Sequence, residues 1–245
     1  MRQVFRLISS EYQKLKRTFT KRAAFLAPIV TMLLCALLGA GTFFQSGSFN
    51  WWYTMLLPGM LSLICAGIVQ KDKKKLNYRG IMSLAIEPRR IWLGKVGACI
   101  LLYGISCVVF FIGVTIGGHI FGSFFTLAQS GTASLLLFVT FLWQIPFCML
   151  IADRLGSFAA IFINLVGNIL GVIFAAKSIY WWIPFAIPTR LMCPVIHVLP
   201  NGLTVPANDP LLSFSVIVSG VLITLVLFIV LSVLTALPYR RLEAK

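Results

Sequence analysis

KDKKKLNYRGIMSLAIEPRRIWLGK, residues 71–95, carries eight basic residues and sits between two long apolar stretches. A positive block, a short apolar run and a second positive block interrupt an otherwise greasy chain. The stretch reads as a loop, and the runs on either side of it read as membrane spans. The side of the membrane on which it lies follows from where the other charges fall, because Lys and Arg are retained on the cytoplasmic side.

The chain has 245 residues, 59% of them hydrophobic and 11% charged. A soluble domain carries roughly 25% charged residues. Too little polar surface is available to cover so much apolar area, so the class is integral membrane protein. At roughly 20 apolar residues per span, five to seven spans fit. The apolar runs give six: about 23–44, 51–70, 93–117, 132–152, 158–176 and 211–237. Only QSGSFN, 45–50, separates the first two, which predicts a helical hairpin. Trp51, Trp52 and Tyr53 are read as marking a water–lipid boundary. Asp153–Ser157 reads as a tight turn. The segment 177–210 holds six of the eleven prolines and reads as an outer cap, open to a partly re-entrant path.

The formal net charge is +15. Nineteen of the basic residues fall in four segments: the N-terminus, the 71–95 stretch, the 153–157 turn and the C-terminal tail. Only Lys177 and Arg190 fall on the opposite side. This asymmetry places both termini and the 71–95 stretch in the cytoplasm. Nucleic acid is not needed as a partner to explain the charge. Residues 1–22 are too long and too charged for a signal-peptide leader, so the first span is expected to be retained.

Cys35, Cys65, Cys99, Cys107 and Cys148 lie in apolar runs and Cys193 in a loop; no CxxC occurs, and packing is the expected role. The six acids and both histidines lie outside the predicted span interiors. Ion-coupled transporters need ionisable groups at membrane depth, and an intramembrane hydrolase needs a buried acid, His or Ser constellation. Both classes are therefore disfavoured. No G-x-x-x-x-G-K-[ST] occurs, so the chain has no P-loop of its own. Catalytic residues, bound cofactors and metal ligands are expected to be none.

Residues 3–22 place Val4, Phe5, Ile8, Tyr12, Leu15 and Phe19 within one arc of about 100°. Basic residues, Lys16 and Arg17 among them, face the other way. Such a helix lies in the interface plane, apolar side in lipid and basic side toward anionic headgroups. Within the 71–95 stretch, Gly80–Ile86 is long enough for two helical turns. It gives a short apolar face between basic flanks, a device for docking a soluble partner. A loop that merely fixes topology is the alternative, but such a loop has no need of the apolar run.

These features together resemble the permease subunits of ABC-2-type transporters. The pattern Asp72–Lys75, Tyr78–Arg79, Ser83–Leu84 and Pro88–Lys95 is similar to that of the lantibiotic-immunity permeases, as are Glu11, Lys14, Lys16, Arg17 and Thr18 of the first helix. The resemblance implies an elbow helix at residues 1–22 and a six-span transmembrane domain at 23–245, with a cytoplasmic coupling loop at 71–92 and an extracellular cap at 177–210. It implies a coupling helix seated in a partner ATPase, carried by Tyr78, Arg79, Gly80, Ile81, Met82, Ser83, Leu84, Glu87, Pro88, Arg89 and Arg90. It implies ATP and Mg on that partner, a dimer of cytosolic ABC ATPases. A second permease, related or identical, would complete a transport path between the two chains. The setting would be the plasma membrane of a Gram-positive bacterium.

Gln144, Asn164, Gly167, Asn168 and Gly171 are polar or small residues within spans. They serve either interhelical packing and hydrogen bonding or a path facing the second permease. Tyr180, Trp181, Trp182 and Phe185 read as a belt anchor or as contacts for an amphipathic peptide. The fold class expected is all-α, polytopic, with six transmembrane helices after an interfacial amphipathic helix. The function expected is expulsion of lantibiotic-type cationic peptides from the membrane. Export of another hydrophobic drug, lipid or bacitracin-like antibiotic is the alternative, and a non-transporting membrane anchor or sensor is the reading from a different class.

Overall fold

The computed structural model describes residues 2–16, 18–38, 41–76, 87–122, 124–177 and 179–238. Among these the chain is helical, with one antiparallel bridge, Val198–Thr204. Ten α-helices follow in order: α1 Arg2–Lys14, α2 Phe19–Leu37, α3 Phe44–Trp51, α4 Leu57–Leu76, α5 Pro88–Phe121, α6 Leu127–Phe141, α7 Gln144–Arg154, α8 Ser157–Ala175, α9 Ile187–Ile196 and α10 Ser215–Ala236. Five stretches are long and apolar enough to cross a membrane: α2, the Phe44–Lys71 run through α3 and α4, α5, α8 and α10. The bent pair α6 and α7 passes the same test when counted as one span, giving five or six in all. The protein is a polytopic all-α membrane protein.

Prolines set the breaks. Pro146 has no N–H for the Leu142 carbonyl one turn earlier, and its ring crowds that carbonyl. The helix parts at Leu142–Trp143 and bends by 41°. Pro58 acts the same way on the Thr54 carbonyl, and the turn Trp52–Leu56 just before it widens to a π-helix.

The second span begins earlier than the sequence predicts. QSGSFN is not a linker but most of α3, and the connection is the short segment after Leu37. Tertiary contacts take up Gln45: its side-chain oxygen Oε1 accepts from Phe124 N and Phe125 N at 2.8 Å each. Trp52 and Tyr53 are consequently inside the bundle, with Trp52 stacked on Phe110 at 4.8 Å; only Trp51 of the three is exposed. The third span also begins earlier. Pro88–Lys95, read as loop, is already helix, with Pro88 in the first turn where its missing N–H costs nothing.

Helix α5 has 34 residues. At 1.5 Å per residue it is about 51 Å long against a hydrocarbon core of about 30 Å, so its ends stand outside the core. Helix α1 ends at Lys14, and Phe19 opens α2 instead of continuing the amphipathic arc.

The largest departure is in 177–210. Its middle forms α9, whose ten residues are all buried among α6, α8 and α10. Pro188 starts this helix and the left-handed His197 ends it. The segment caps the bundle only at its two ends.

Lipid tails are as apolar as leucine, so helices associate by close packing at small residues and by hydrogen bonds. Here Gly113 and Gly117 of α5 receive Met32 and Phe44, and Gly220 of α10 receives Leu191 and Ile187. Val218, Leu222, Val226 and Ile229 of α10 remain exposed, as a lipid-facing row does.

Candidate functional site

The ends of α1, α4, α7 and α10 and the start of α5 meet at one end of the bundle. Gln70 donates to the Ala152 carbonyl at 2.8 Å, joining α4 to the end of α7. Lys71 donates to the Lys14 carbonyl, joining α4 to α1. Trp92 Nε1 donates to Thr235 Oγ1 at 3.0 Å, joining the start of α5 to the end of α10. The elements on both sides of the 77–86 segment are thus tied to the first and last helices of the chain.

Glu11 is the centre of this end. It is 6% exposed, and Lys95 is 1% exposed. One Glu11 oxygen accepts from Lys14 Nζ at 2.6 Å, and the other faces Lys95 Nζ at 3.6 Å. A buried charge needs a partner of this kind. The approach is made possible by Gly94 and Gly97 of α5, over which Leu7 and Ile8 of α1 lie; a Cβ at Gly97 would meet Ile8. Sequence reasoning missed this pair. The available signal was a lone acid in a basic helix and a lone Lys at the mouth of a span.

The residues expected to contact an ATPase divide. Tyr78, Arg79, Gly80, Ile81, Met82, Ser83 and Leu84 lie outside the described residues, as do Arg17 of the first helix and Arg240, Arg241 and Lys245 of the tail. Glu87 precedes α5, with Arg89 Nε and Arg90 Nε at 3.9 and 3.6 Å from its carboxylate. These groups are half-buried to exposed, so the pairs contribute little stability.

The expected interfacial face is used unevenly. Leu15 is buried in the core and Ile8 is spent on Gly97. Tyr12 is half-buried, with Lys21 Nζ 4.8 Å from its ring centre. Phe5, Lys16 and Phe19 are exposed. Helix α1 packs on α5 and keeps only part of its apolar face for lipid.

The polar residues of the spans come together inside one chain. The Gln144 and Asn168 amides exchange hydrogen bonds at 3.2 and 3.3 Å. Asn168 also donates to the Asn164 carbonyl at 2.7 Å, and Asn164 donates to the Pro58 carbonyl at 3.0 Å. Ser62 donates to that same carbonyl at 2.9 Å. The Pro146 bend is what starts α7 at Gln144, opposite Asn168. Gly167 meets the Phe185 ring, and a Cβ at Gly171 would run into the Phe185 carbonyl. These groups are spent on one another.

At the other end of the bundle Arg190 is buried. Its guanidinium donates to the Leu211 and Pro210 carbonyls at 2.6 and 3.4 Å. Burial pulls it below its ordinary value, while Cys193 and Asp209 act in the opposite sense. Burial also pushes the Cys193 thiol up to about 11, although the neighbouring Arg190 lowers it. Phe185 is half-buried and sits edge-on to Trp143 at 4.7 Å. Trp181 is half-buried; Tyr180 and Trp182 are exposed. Among the described residues no cluster of three His, Cys, Asp or Glu has metal-binding spacing.

Comparison with curated proteins finds no match, and neither does comparison with solved structures. Residues 7–176 match the profile of the family described as ABC-2 family transporter protein. That span runs from α1 to the end of α8 and takes in the Glu11 pair, the loop and the amide network. The chain therefore belongs to the ABC-2 family of transporter proteins, as a membrane permease subunit of an ABC transporter.

Proposed function

We propose that this permease takes its work stroke from a separate ABC ATPase dimer, which holds the ATP and Mg, through residues 77–88, and that it expels lantibiotic-type cationic peptides. The end of the bundle that bears the basic segments faces the cytoplasm of a bacterial plasma membrane, and residues 1–22 act as the elbow. A second permease, related or identical, completes the path. The peptide, already partitioned into the outer part of the bilayer, enters from lipid and meets exposed Tyr180 and Trp182.

One observation carries the coupling. The elements flanking 77–86 are fastened to α1 through Glu11–Lys95 and to α10 through Trp92–Thr235. A push on the loop is passed to the first and last helices without a slack joint. The half-buried Arg89 and exposed Arg90 beside it offer charge to an acidic cleft. The test is ATPase activity of the co-purified complex. Reversing Arg89 and Arg90 to Glu, or deleting 80–86, should abolish stimulation of the partner. Unchanged ATPase activity in both variants rules the coupling out.

Killing curves against a panel of antibiotics, with and without the transporter genes, separate lantibiotics from bacitracin-like or other hydrophobic compounds. Protection that persists with a catalytically dead ATPase points instead to an anchor or sensor.

A further inference from the structure

Helices α5 and α6 meet along a seam that their own side chains leave unfilled. A cavity of about 350 Å³ opens between Gly104, Phe111 and Cys107 on α5 and Gly131, Ser134 and Phe138 on α6, and its lining is almost wholly apolar. A second cavity of about 320 Å³ opens between Thr115 and His119 on α5 and Ser130 on α6, and it is more polar. The two lie end to end. Cys107, Phe111, Thr115 and His119 form one four-residue row, and Ser130, Ser134 and Phe138 form the facing row, so both cavities open on one pair of helix faces.

Two glycines show that the space is kept open. A Cβ at Gly104 would meet only the Phe138 ring at 3.5 Å, and one at Gly131 only the Phe111 ring, no closer than 3.8 Å. These are ordinary contacts. Gly113 and Gly117 of the same helix differ: a Cβ there would run into Met32 or Phe44. A helix glycine costs stability relative to alanine, and at Gly104 and Gly131 no neighbouring helix requires it.

Two hydroxyls show the polarity of the occupant. Ser130 and Ser134 are 1% and 8% exposed, and neither Oγ has a hydrogen-bond partner. They line the polar and the apolar cavity respectively, one helical turn apart. Buried hydroxyls are normally satisfied. A ligand that fits this seam presents two acceptors about one turn apart and, beyond them, an apolar chain.

We propose that the seam is a binding site for one glycerophospholipid of the leaflet at the Phe121 end of α5. Its phosphate lies at Ser130 and His119, the glycerol backbone passes Gly131, an ester carbonyl lies at Ser134, and one acyl chain runs on from there past Cys107 to Gly104. The length agrees. From His119 to Gly104 the seam runs about 22 Å at 1.5 Å per residue. One leaflet, half of the 40–45 Å bilayer, is about 20–22 Å thick. The site stands whatever the exported molecule is, because it lies within one chain and uses none of the coupling residues.

The full chain, extracted in mild detergent and examined by native mass spectrometry, tests this with added phosphatidylglycerol or diacylglycerol. The wild type should keep one phosphatidylglycerol per chain, more strongly than diacylglycerol. Gly131→Leu, which fills the seam, should lower that retention at least tenfold, and the double variant Ser130→Ala, Ser134→Ala several-fold. Equal retention by wild type and Gly131→Leu overturns the proposal, as does equal retention of the two lipids. If Gly131→Leu does not fold, a diazirine-bearing phosphatidylglycerol decides on the wild type alone. Labelling concentrated on Phe111 and Phe138 supports the site. Labelling spread equally over the exposed row of α10 overturns it.

Discussion

At the loop end of the bundle Glu11 lies between Lys14 and Lys95; farther in, Gln144, Asn164 and Asn168 hold a comparable buried position with no charge at all. The difference follows depth. Lys95 is seven residues into α5, about 10 Å from its start, where a 51 Å helix still overshoots the hydrocarbon. An ion pair there is near water and headgroups. Asn168 lies mid-span, where a charge is far more costly and a neutral amide bonds at lower cost. The ionic cluster ties together the elements nearest the loop. The amide cluster ties spans two, four and five to one another.

The sharpest break of this comparison is Glu11→Leu. It removes a carboxylate facing a fully buried lysine and should cost about 3 kcal/mol. Thermal unfolding in detergent reads the loss. The double variant Glu11→Leu, Lys95→Met should recover most of it, since an apolar pair needs no compensation. Stimulation of a partner ATPase should not recover with it, because the tie between α1 and α5 is then only apolar. Equal loss of stability in the single and double variants means the ion pair is not what holds α1.

Next in size is a pair of alanines. Gly171→Ala drives a methyl into the Phe185 backbone and should cost about 2 kcal/mol. Gly131→Ala meets no close neighbour and should be neutral or stabilising by about 0.5–1 kcal/mol from helix propensity. The pair separates glycines used to pack the core from glycines that keep space open. Asn168→Ala should cost about 1 kcal/mol, the scale of interhelical polar contacts in membranes. It should leave ATPase coupling intact, in contrast to the Glu11 variant.

The spans were legible because they depend on local content: a run of about 20 apolar residues has one solution in lipid. The charged stretch at 71–95 and the turn at 153–157 stood out for the same reason, although 71–76 and 88–95 are helical and Lys95 is buried. What the sequence hid depends on partners far along the chain. Gln45, Ser46 and Ser48 looked like a linker because polar residues usually are; here Phe43, Val114, Phe124 and Phe125 supply bonds to two of them. Lys95 looked like one more topogenic charge because its acid lies in a different helix. The 177–210 segment looked like a cap because its prolines rule out a long helix, yet ten residues suffice for a short helix buried between spans. Pro146 was a readable signal for the α6–α7 break, and that break is what aims Gln144 at Asn168.

Arg190 extends the comparison to the far end, where a charge is again buried, this time against backbone carbonyls instead of an acid. Cys193, one turn away on α9, is buried as well. Burial raises its thiol to about 11 against an ordinary value of 9.0, although the Arg190 charge pulls the other way. A raised value keeps the thiol protonated across pH 7–9, and the thiolate is the reactive form. The other five cysteines are buried as well. Maleimide at pH 8 should therefore leave the folded protein unlabelled at Cys193, while detergent-denatured protein reacts. Arg190→Leu removes the one nearby charge that favours the thiolate and should slow labelling further as the pH approaches 11. Faster labelling in that variant would mean that Arg190 holds α9 closed as a structural pin, and that loosening of α9 outweighs the electrostatic effect.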